Sequence, residues 1–261
     1  MRIAIIGAGN MGGAIARGIA ATIATGQSDH TLAVSNPSQG KLDALKAEFP
    51  FIETYTCNSK AIEGADMVIL AVKPWLVEQV LAQYSAILGV NTILVSVAAG
   101  ITLENLINMA GGPLRTVYRA MPNTAAAVGY STTFVAGKNT TPESDEAVKA
   151  IFENVGTVMM IEERLMTAAT SLSGCGIAYI FRFIRAMQEG GVQLGFYPDD
   201  ALRIVARTME GALKLLEADG SHPEQEIDKV TTPGGLTIKG LNAMEQAGFT
   251  NAVIQGLVRN D

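Results

Sequence analysis

The sequence contains few of the residues from which metal centres and disulfide frameworks are built. It has two cysteines, Cys57 and Cys175, and two histidines, His30 and His222. The cysteines lack the short spacing of a metal site, which fits a reducing compartment and predicts neither a disulfide framework nor a bound metal. Because no histidine lies near Cys175 in the sequence, we interpret this cysteine as an inert, buried side chain. His222 precedes Pro223 in a polar stretch and is interpreted as a loop residue.

Long apolar runs and blocks of basic charge are also missing. No segment offers the roughly 20 continuous apolar residues that span a membrane, and the apolar run after Arg2 is too short for a secretory signal. The formal net charge is −6 without basic clusters, which argues against nucleic acid or an anionic membrane as the main partner. Charged residues make up 17% of the chain, which indicates that much surface is buried, including against another copy of the chain. We therefore expect a cytoplasmic homo-oligomer.

The first part of the chain alternates short β-rich runs with stretches of helical periodicity, such as Lys41–Phe49 and Pro142–Asn154. The run Met67–Val72 is apolar at successive positions, which is typical of a strand covered on both faces. Alternating strands and helices then predict an α/β fold with a doubly wound, mostly parallel sheet. The predicted strands are Ile3–Ile6, Leu32–Ser35, Met67–Val72, Thr92–Val97, Arg115–Arg119, Thr132–Ala136 and Val158–Ile161.

A glycine-rich turn, GAGNMG at residues 7–12, immediately follows the first predicted strand and opens a helix. Gly7 permits the tight turn, Gly9 lets a pyrophosphate approach the backbone, and Gly12 lets helix and strand pack closely. Asn10 and Met11 begin the helix, whose free N–H groups attract a phosphate. The context favours a Rossmann dinucleotide site, with a glycine-rich turn of no ligand significance as the alternative.

The pattern changes after Glu162, beyond which no strand is predicted. We predict a Rossmann NAD(P)-binding domain over residues 1–161 and an all-helical domain over residues 162–261. In the helical part, Ile177–Met187 is apolar on most of its circumference and must be buried. A helical body of roughly 100 residues offers little room for that, so a dimer interface is favoured over an ordinary core helix. The predicted helices are Ala168–Leu172, Ile177–Gln193, Pro198–Ala218 and Leu236–Gln246.

The residues after the second predicted strand bear on the choice of cofactor. In a Rossmann domain an acid at this point reads the adenosine ribose and favours NAD. Here Asn36 and Ser38 can donate hydrogen bonds to a 2′-phosphate, and no carboxylate would repel it. The sequence therefore favours NADP(H), with NAD(H) as the alternative because no arginine is present.

Further candidates lie where other strands end, since ligands of open α/β sheets bind beyond the carboxyl ends of the strands. Lys73 follows the third predicted strand and is placed to meet cofactor or substrate, with a solvated surface lysine as the alternative. The small residues 96–100 allow a flat nicotinamide ring to lie close. Asn123 and Thr124 follow the fifth strand and are interpreted as cleft residues or, equally, as a structural turn.

Two motifs in the helical part are built from small residues. Leu172–Gly176 interrupts two helical stretches and indicates a close approach of the backbone to a ligand or a helix. Thr231–Thr237 directly precedes a helix and contains two adjacent glycines flanked by hydroxyls. Free N–H groups at such a helix N-terminus are suited to binding a carboxylate, with a simple helix cap as the alternative.

Taken together, these motifs resemble the Δ1-pyrroline-5-carboxylate reductase family over essentially the full length. The resemblance implies hydride transfer from NAD(P)H to the C=N carbon of 1-pyrroline-5-carboxylate, which gives L-proline. It also implies a dimer with intertwined helical domains, often assembled further into decamers. The motifs in question are GAGNMG at 7–12, AVKP at 71–74, AMPNT at 120–124, LSGCGIAYIF at 172–181, GGVQLG at 190–195 and TTPGGLTIKGL at 231–241.

The resemblance also implies roles for individual residues. Asn58 would contact the cofactor ribose, and the Thr237 hydroxyl would lie near the ring nitrogen of the substrate as the catalytic group. The other cofactor-binding residues implied are Ala71, Val72, Lys73 and Pro74, which would line the cofactor, and Val97, Ala98 and Ala99, which would border the nicotinamide. The implied substrate-binding residues, which would hold the carboxylate, are Thr232, Gly234, Gly235, Leu236 and Thr237.

The chain departs from the family pattern on the substrate side. The family usually has Ser followed by Gly-Pro where this chain has Cys175, Gly176 and Ile177. It usually has a small or hydroxyl residue at the position of Leu236. Substrate identity is therefore less firmly implied than cofactor binding.

Two other functions remain open at this point. A β-hydroxyacid dehydrogenase would need a catalytic lysine deep in the helical part, and Lys214, Lys229 and Lys239 do not lie in the pattern expected for it. A regulatory protein that kept the fold would bind NADPH without oxidising it.

Overall fold

The computed structural model describes residues 1–259, without the side chain of Asp219, as two units. The first unit is Met1–Gly174, and the second begins at Cys175. The predicted boundary between residues 161 and 162 lies earlier in the chain than this division, because the first unit also includes the helical turns that follow its last strand.

The first unit is built around one eight-stranded sheet. Its strands are β1 (Arg2–Ile6), β2 (Thr31–Ser35), β3 (Glu53–Tyr55), β4 (Met67–Leu70), β5 (Ile93–Ser96), β6 (Val117–Met121), β7 (Ser131–Lys138) and β8 (Gly156–Met160). Their order in the sheet is β3-β2-β1-β4-β5-β6-β7-β8, and every neighbouring pair is parallel except the antiparallel pair β6 and β7. The prediction of a mostly parallel, doubly wound sheet is confirmed. The strand order reverses at β1, which lies between β2 and β4, and ligands bind at such a switch point.

Helices cover both faces of the sheet. On one face lie α1 (Asn10–Ala24), α2 (Gln39–Glu48) and α6 (Pro142–Glu153), and on the other lie α3 (Asn58–Ile62), α4 (Val77–Tyr84), α5 (Leu103–Met109) and α7 (Met166–Ala169). Successive side chains of β1 serve both faces: Ile5 packs with Ile15 and Ile19 of α1, while Ile6 belongs to the cluster that contains Leu81 of α4. Burying one such side chain stabilises the fold by about 1.5–3 kcal/mol, which explains the apolar runs in the central strands.

The edge strand β3 was not predicted. Its three residues are half-buried and Tyr55 alone packs against the apolar core, so the strand shows no run of apolar residues. Arg2 of β1 donates from Nη1 and Nη2 to the two carboxylate oxygens of Glu53, over 3.0 and 2.7 Å. A strand stabilised by its neighbour's backbone and by an ion pair cannot be recognised from hydrophobic periodicity.

The described part of the second unit contains no strand, as predicted. Its helices are α8 (Gly176–Gln193), α9 (Pro198–Asp219), α10 (Pro223–Val230), α11 (Leu236–Gln246) and α12 (Phe249–Val258). The helices α10 and α12 were missed, whereas His222 itself lies outside a helix, as predicted for a loop residue, and directly precedes α10. The His222 side chain accepts a hydrogen bond from the Glu224 N–H, and the Gln225 side chain accepts one from the His222 N–H, so His222 caps α10. Among the described residues, no helix is long and apolar enough to cross a membrane.

The apolar helix α8 is mostly exposed in the single chain. Gly176 and Gln188 are its buried residues, whereas Ile180 and Phe181 are 50% and 62% exposed. A single chain therefore leaves exposed the apolar side chains of α8 that the sequence analysis predicts to be buried. Cys175, directly before α8, is exposed as well, so the expectation of a buried side chain there was wrong.

Candidate functional site

The turn between β1 and α1 requires glycine at its first position. Gly7 has φ +106°, which an L side chain rarely adopts, and its N–H donates to the Ser35 carbonyl oxygen over 2.8 Å. A Cβ added to Gly7 would lie 2.6 Å from the backbone oxygen of Ala71. The predicted role of Gly7 in a tight turn is therefore supported by both backbone conformation and close packing.

The other two glycines of the turn differ in their surroundings. A Cβ on Gly12 would collide with the backbone oxygen of Gly7, so α1 can approach β1 only with glycine there. A Cβ on Gly9 would meet no atom within 4 Å. Gly9 is the N-cap of α1, and no described side chain hydrogen bonds to this end of the helix. Open space in front of the uncapped N–H groups that follow, including those of Asn10 and Met11, fits a pyrophosphate.

Asn36 braces the glycine-rich turn, a role that the sequence did not reveal. Its Oδ1 accepts a hydrogen bond from the Ala8 N–H over 3.1 Å, and its Nδ2 donates to the Ser38 carbonyl oxygen over 3.1 Å. The residue is 8% exposed, so these bonds tie β2 to the turn from within. Ser38 itself is exposed at the N-cap of α2, where its side chain makes no capping bond.

Asn58 lies at the start of α3 and is held by β2. Its Oδ1 accepts a hydrogen bond from the Ser35 hydroxyl over 2.7 Å. This bond orients the amide of a half-buried side chain, whose Nδ2 can donate to a ligand hydroxyl. At the preceding residue, Cys57, a hydrogen bond with the Ser59 side chain lowers the pKa of the exposed thiol.

The segment after β4 passes directly beside the glycine-rich turn. The Ala71 N–H donates to the Ile6 carbonyl oxygen over 2.8 Å, which continues the pairing of β4 with β1. Ala71 and Val72 are half-buried. Lys73 is exposed, with its Nζ 6.0 Å from the centre of the Trp75 ring, and Pro74 begins a 3₁₀ turn.

The small residues that follow β5 form a neighbouring backbone segment. The Val97 N–H donates to the Leu70 carbonyl oxygen over 3.0 Å, so this segment begins beside the end of β4. The Ala98 N–H donates to the Ser96 hydroxyl oxygen over 3.2 Å. Ala98 is buried and Ala99 is exposed, so the segment turns outward at the carboxyl edge of the sheet. The predicted cofactor residues of the first unit thus follow the ends of β1, β2, β3, β4 and β5.

Asn123 makes the bonds of a structural turn. Its Oδ1 accepts from the Ala125 N–H over 2.9 Å, which caps the 3₁₀ helix Thr124–Val128. Its Nδ2 donates to the Ser173 hydroxyl over 2.8 Å, in the π-helical segment Thr170–Cys175. Of the two interpretations of this residue, the turn is the one that the contacts support.

In the second unit, the residues before α11 form a tight turn in front of the helix. The Gly235 N–H donates to the Thr232 carbonyl oxygen over 2.9 Å, and Gly234 between them has φ +70°. Proline followed by a glycine of positive φ is the signature of a type II turn. Gly235 is the N-cap of α11 without a side-chain cap, so the N–H groups that begin with Leu236 and Thr237 point out of the helix. The predicted carboxylate cradle therefore has the required backbone arrangement.

The first unit combines a braced glycine-rich turn, an uncapped helix N-terminus and several strand ends at one edge of a parallel sheet. This arrangement is typical of the Rossmann domain of an oxidoreductase that uses a nicotinamide cofactor. Two family models match the chain, one to each part. Residues 2–100 match "NADP oxidoreductase coenzyme F420-dependent", and residues 163–260 match "Pyrroline-5-carboxylate reductase dimerisation". The second match indicates a homo-oligomer.

Curated relatives resemble the chain over nearly all of its length. Pyrroline-5-carboxylate reductase from Methanosarcina acetivorans is 38% identical over 265 residues, which cover 99% of this chain and 96% of the relative. Pyrroline-5-carboxylate reductase 1 from Dictyostelium discoideum is 38% identical over 268 residues, which cover 98% of this chain. The chain spans about half, 48%, of that longer relative. The chain belongs to the pyrroline-5-carboxylate reductase family.

Solved structures agree with this assignment. A pyrroline-5-carboxylate reductase from Coxiella burnetii superposes with a TM-score of 0.90 at 30% identity, covering 99% of this chain and 95% of the other. The enzyme from Plasmodium falciparum, solved with NADP bound, has a TM-score of 0.86 at 26% identity, covering 100% of this chain and 95% of the other.

Proposed function

We propose that this chain reduces 1-pyrroline-5-carboxylate to L-proline with a reduced nicotinamide dinucleotide. The observation that carries the proposal is its similarity, over 99% of its length, to a relative with that activity in its name. The braced turn at Gly7–Gly12 supports the cofactor part of the proposal, because it has the open, amide-lined shape that a pyrophosphate needs.

The cofactor-binding residues each supply a distinct contact. The amides after Gly9 hold the pyrophosphate, the Asn58 amide donates to a ribose, and residues 71–74 and 97–99 line the nicotinamide half. When bound, the reduced nicotinamide supplies the hydride that the imine carbon accepts. The exposed Ser38 hydroxyl at the N-terminus of α2, with no carboxylate beside it in the sequence, favours NADP(H), and NAD(H) is the alternative.

The substrate-binding residues lie in the turn before α11. The free N–H groups of Leu236 and Thr237, together with Thr232 and the glycines Gly234 and Gly235, hold the substrate carboxylate at the positive end of the helix dipole. The Thr237 hydroxyl is the catalytic group and hydrogen bonds to the ring nitrogen. A protonated imine is already electrophilic, so orientation by these groups supplies most of the rate and no strong general acid is needed.

We propose that the homo-oligomer is a homodimer formed through residues 163–260, and that dimers associate further into a decamer. The cytoplasmic location inferred from the sequence stays a prediction.

The first experiment measures oxidation of NADPH, and separately of NADH, from the nicotinamide absorbance after 1-pyrroline-5-carboxylate is added. Thr237→Ala removes one substrate hydrogen bond, and we expect kcat to fall about tenfold with unchanged NADPH affinity. Thr237→Ser should recover most of the loss, and Thr250→Ala in α12 is a matched control.

The outcomes separate the alternatives. Absence of turnover in the unaltered chain, with NADPH still bound, would favour a non-catalytic regulatory protein. Turnover without formation of L-proline would point to another imine or carbonyl substrate. Unchanged kinetics in Thr237→Ala would remove the assigned role of this hydroxyl.

A further inference from the structure

A charged side chain is buried among small neighbours in the sheet of the first unit. Arg119 of β6 is 9% exposed. It is paired with Ser96 of β5 on one side and with Ala136 of β7 on the other, so all three side chains point to the same face of the sheet. Because Ser96 and Ala136 are small, they leave room for the arginine between them.

One carboxylate oxygen joins this arginine to the segment that follows β5. Glu163 Oε1 accepts a hydrogen bond from Arg119 Nη1 over 2.9 Å and another from the Leu103 N–H over 2.7 Å. Leu103 is the first residue of α5, and its N–H is one that the helix itself cannot satisfy. A negative charge at this position also interacts favourably with the helix dipole.

The segment 97–102 is therefore fastened at both ends. At its start, the Ala98 N–H is bound by the Ser96 hydroxyl oxygen. At its end, the Leu103 N–H is bound by Glu163, which lies 60 residues further along the chain. Between these bonds, Gly100 has φ +78° and an added Cβ there would meet no atom within 4 Å. The glycine would otherwise leave this segment flexible, so the two anchors decide its conformation.

The ion pair between Arg119 and Glu163 is not the arrangement that would stabilise the fold most. Arg119 Nε is buried, and no atom of the described residues accepts a hydrogen bond from it. Burying an arginine and leaving one of its donors unsatisfied costs free energy, and apolar residues of similar volume often stabilise such a site better. The arrangement is better explained by the position that it imposes on its neighbours.

We propose that Arg119 and Glu163 are positioning residues that hold segment 97–102 in the conformation that receives the nicotinamide. The inference rests on the proposed function, which places Val97, Ala98 and Ala99 beside that ring. Neither residue needs to touch the cofactor: Arg119 orients the Glu163 carboxylate, and the carboxylate fixes the backbone at Leu103.

The test compares binding of two ligands to the full-length chain. NADPH contains the nicotinamide, whereas adenosine 2′,5′-bisphosphate contains only the adenosine half. In Glu163→Ala the Kd of NADPH should rise about tenfold, the effect of losing one charge-assisted hydrogen bond, while the Kd of adenosine 2′,5′-bisphosphate stays unchanged. Glu163→Gln keeps an oxygen that can accept from the Leu103 N–H and should lose less. Glu162→Gln is the matched control, because Glu162 is adjacent in the chain and pairs with the exposed Arg164.

A second readout does not depend on the cofactor. Amide hydrogen exchange in residues 97–103 of the ligand-free chain should be faster in Glu163→Ala than in Glu162→Gln, with β1 and β4 unchanged. If Glu163→Ala does not fold, the same comparison is made with Glu163→Gln. Equal weakening of both ligands, or unchanged NADPH binding in a folded variant, would overturn the inference.

The inference and the proposed function fail in different ways. A chain that turns over 1-pyrroline-5-carboxylate but shows the same NADPH affinity in all variants would keep the function and reject the positioning role. A chain that shows the selective loss of NADPH affinity without reductase activity would keep the positioning role and reject the function.

Discussion

The three glycines of the glycine-rich turn are present for different reasons. At Gly7 and Gly12 a side chain conflicts with the backbone of the fold itself. At Gly9 the fold leaves space, so the fold alone does not require glycine there. Under the proposed function, glycine at this position lets the pyrophosphate of the cofactor approach the backbone at the start of α1.

This difference predicts separate effects on stability and binding. Gly9→Ala should leave the free energy of unfolding within about 0.5–1 kcal/mol of the original, because among the described residues an added Cβ finds no non-neighbouring atom within 4 Å. The same substitution should weaken NADPH binding at least about tenfold, because the methyl group occupies space next to the pyrophosphate. Thermal melts and titration with NADPH measure the two quantities.

Gly112→Ala is the control for this pair of measurements, since an added Cβ there also meets no atom within 4 Å and no positive φ is required. It should change neither quantity appreciably. Unchanged NADPH affinity in Gly9→Ala would contradict the placement of the pyrophosphate at this residue.

Among the elements, β6 and α6 are joined by a buried hydrogen-bond network. The hydroxyl of Tyr118, in β6, lies 2.6 Å from the Ser144 hydroxyl and donates to Asp145 Oδ1 over 2.7 Å. Both partners lie in the first turn of α6, where Thr141 and Ser144 form a capping box. Burial raises the pKa of the Tyr118 hydroxyl, with a further contribution from Asp145.

The raised pKa predicts a dependence of stability on alkaline pH. Below the unfolded pKa of about 10, the hydroxyl is protonated in both states and its stabilising effect is complete. Above that pH the unfolded chain loses the proton while the folded chain keeps it, so the free energy of unfolding falls as pH rises. Tyr118→Phe should lower stability by about 1–2 kcal/mol at pH near 8 and should flatten the alkaline decline.

Urea denaturation at near-neutral and alkaline pH measures both effects. Tyr130→Phe is the control, because it removes the same hydroxyl group from a side chain that is 83% exposed. An alkaline decline of the same slope in Tyr118→Phe would show that other groups cause it.

In the molecule as a whole, the exposed apolar side chains of the second unit indicate that another protein chain covers them. Ile180 and Phe181 of α8 are half or more exposed, and both lie within residues 163–260, which match the dimerisation model. Exposed apolar side chains that cluster on one helix mark an interface between proteins. We therefore expect the exposed apolar side chains of α8 to be buried in the homo-oligomer.

Ile180→Glu should disrupt this association, because a charge buried in an apolar interface without a partner costs several kcal/mol. We expect the oligomer to dissociate at micromolar concentrations, as measured by sedimentation velocity. Val90→Glu replaces a side chain of the first unit that is 88% exposed and should leave the sedimentation coefficient unchanged. Persistence of the oligomer in Ile180→Glu would place the interface elsewhere.

Local signals in the sequence were sufficient for the central strands, the glycine-rich turn and the turn before α11. Each depends on a short run of residues: an apolar run for β4, positive φ at Gly7, and a Pro-Gly turn before α11. They were not sufficient for β3, whose residues show no apolar run, or for α10, whose capping box begins with a histidine instead of the usual serine or threonine.

Short-range patterns were enough to predict the alternation of strands and helices, because these depend on near neighbours along the chain. The order and spacing of motifs over the full length were enough to predict the family, which the relatives confirm. The cofactor-binding residues indicated by those motifs stay a prediction. The hydrogen bond from the Ala8 N–H to Asn36, and the bonds by which Glu163 joins Arg119 to Leu103, could be recognised only in the folded chain. These bonds connect residues 28, 44 and 60 positions apart. Such pairings have no local signature, since they arise when the sheet brings distant strand ends to one edge.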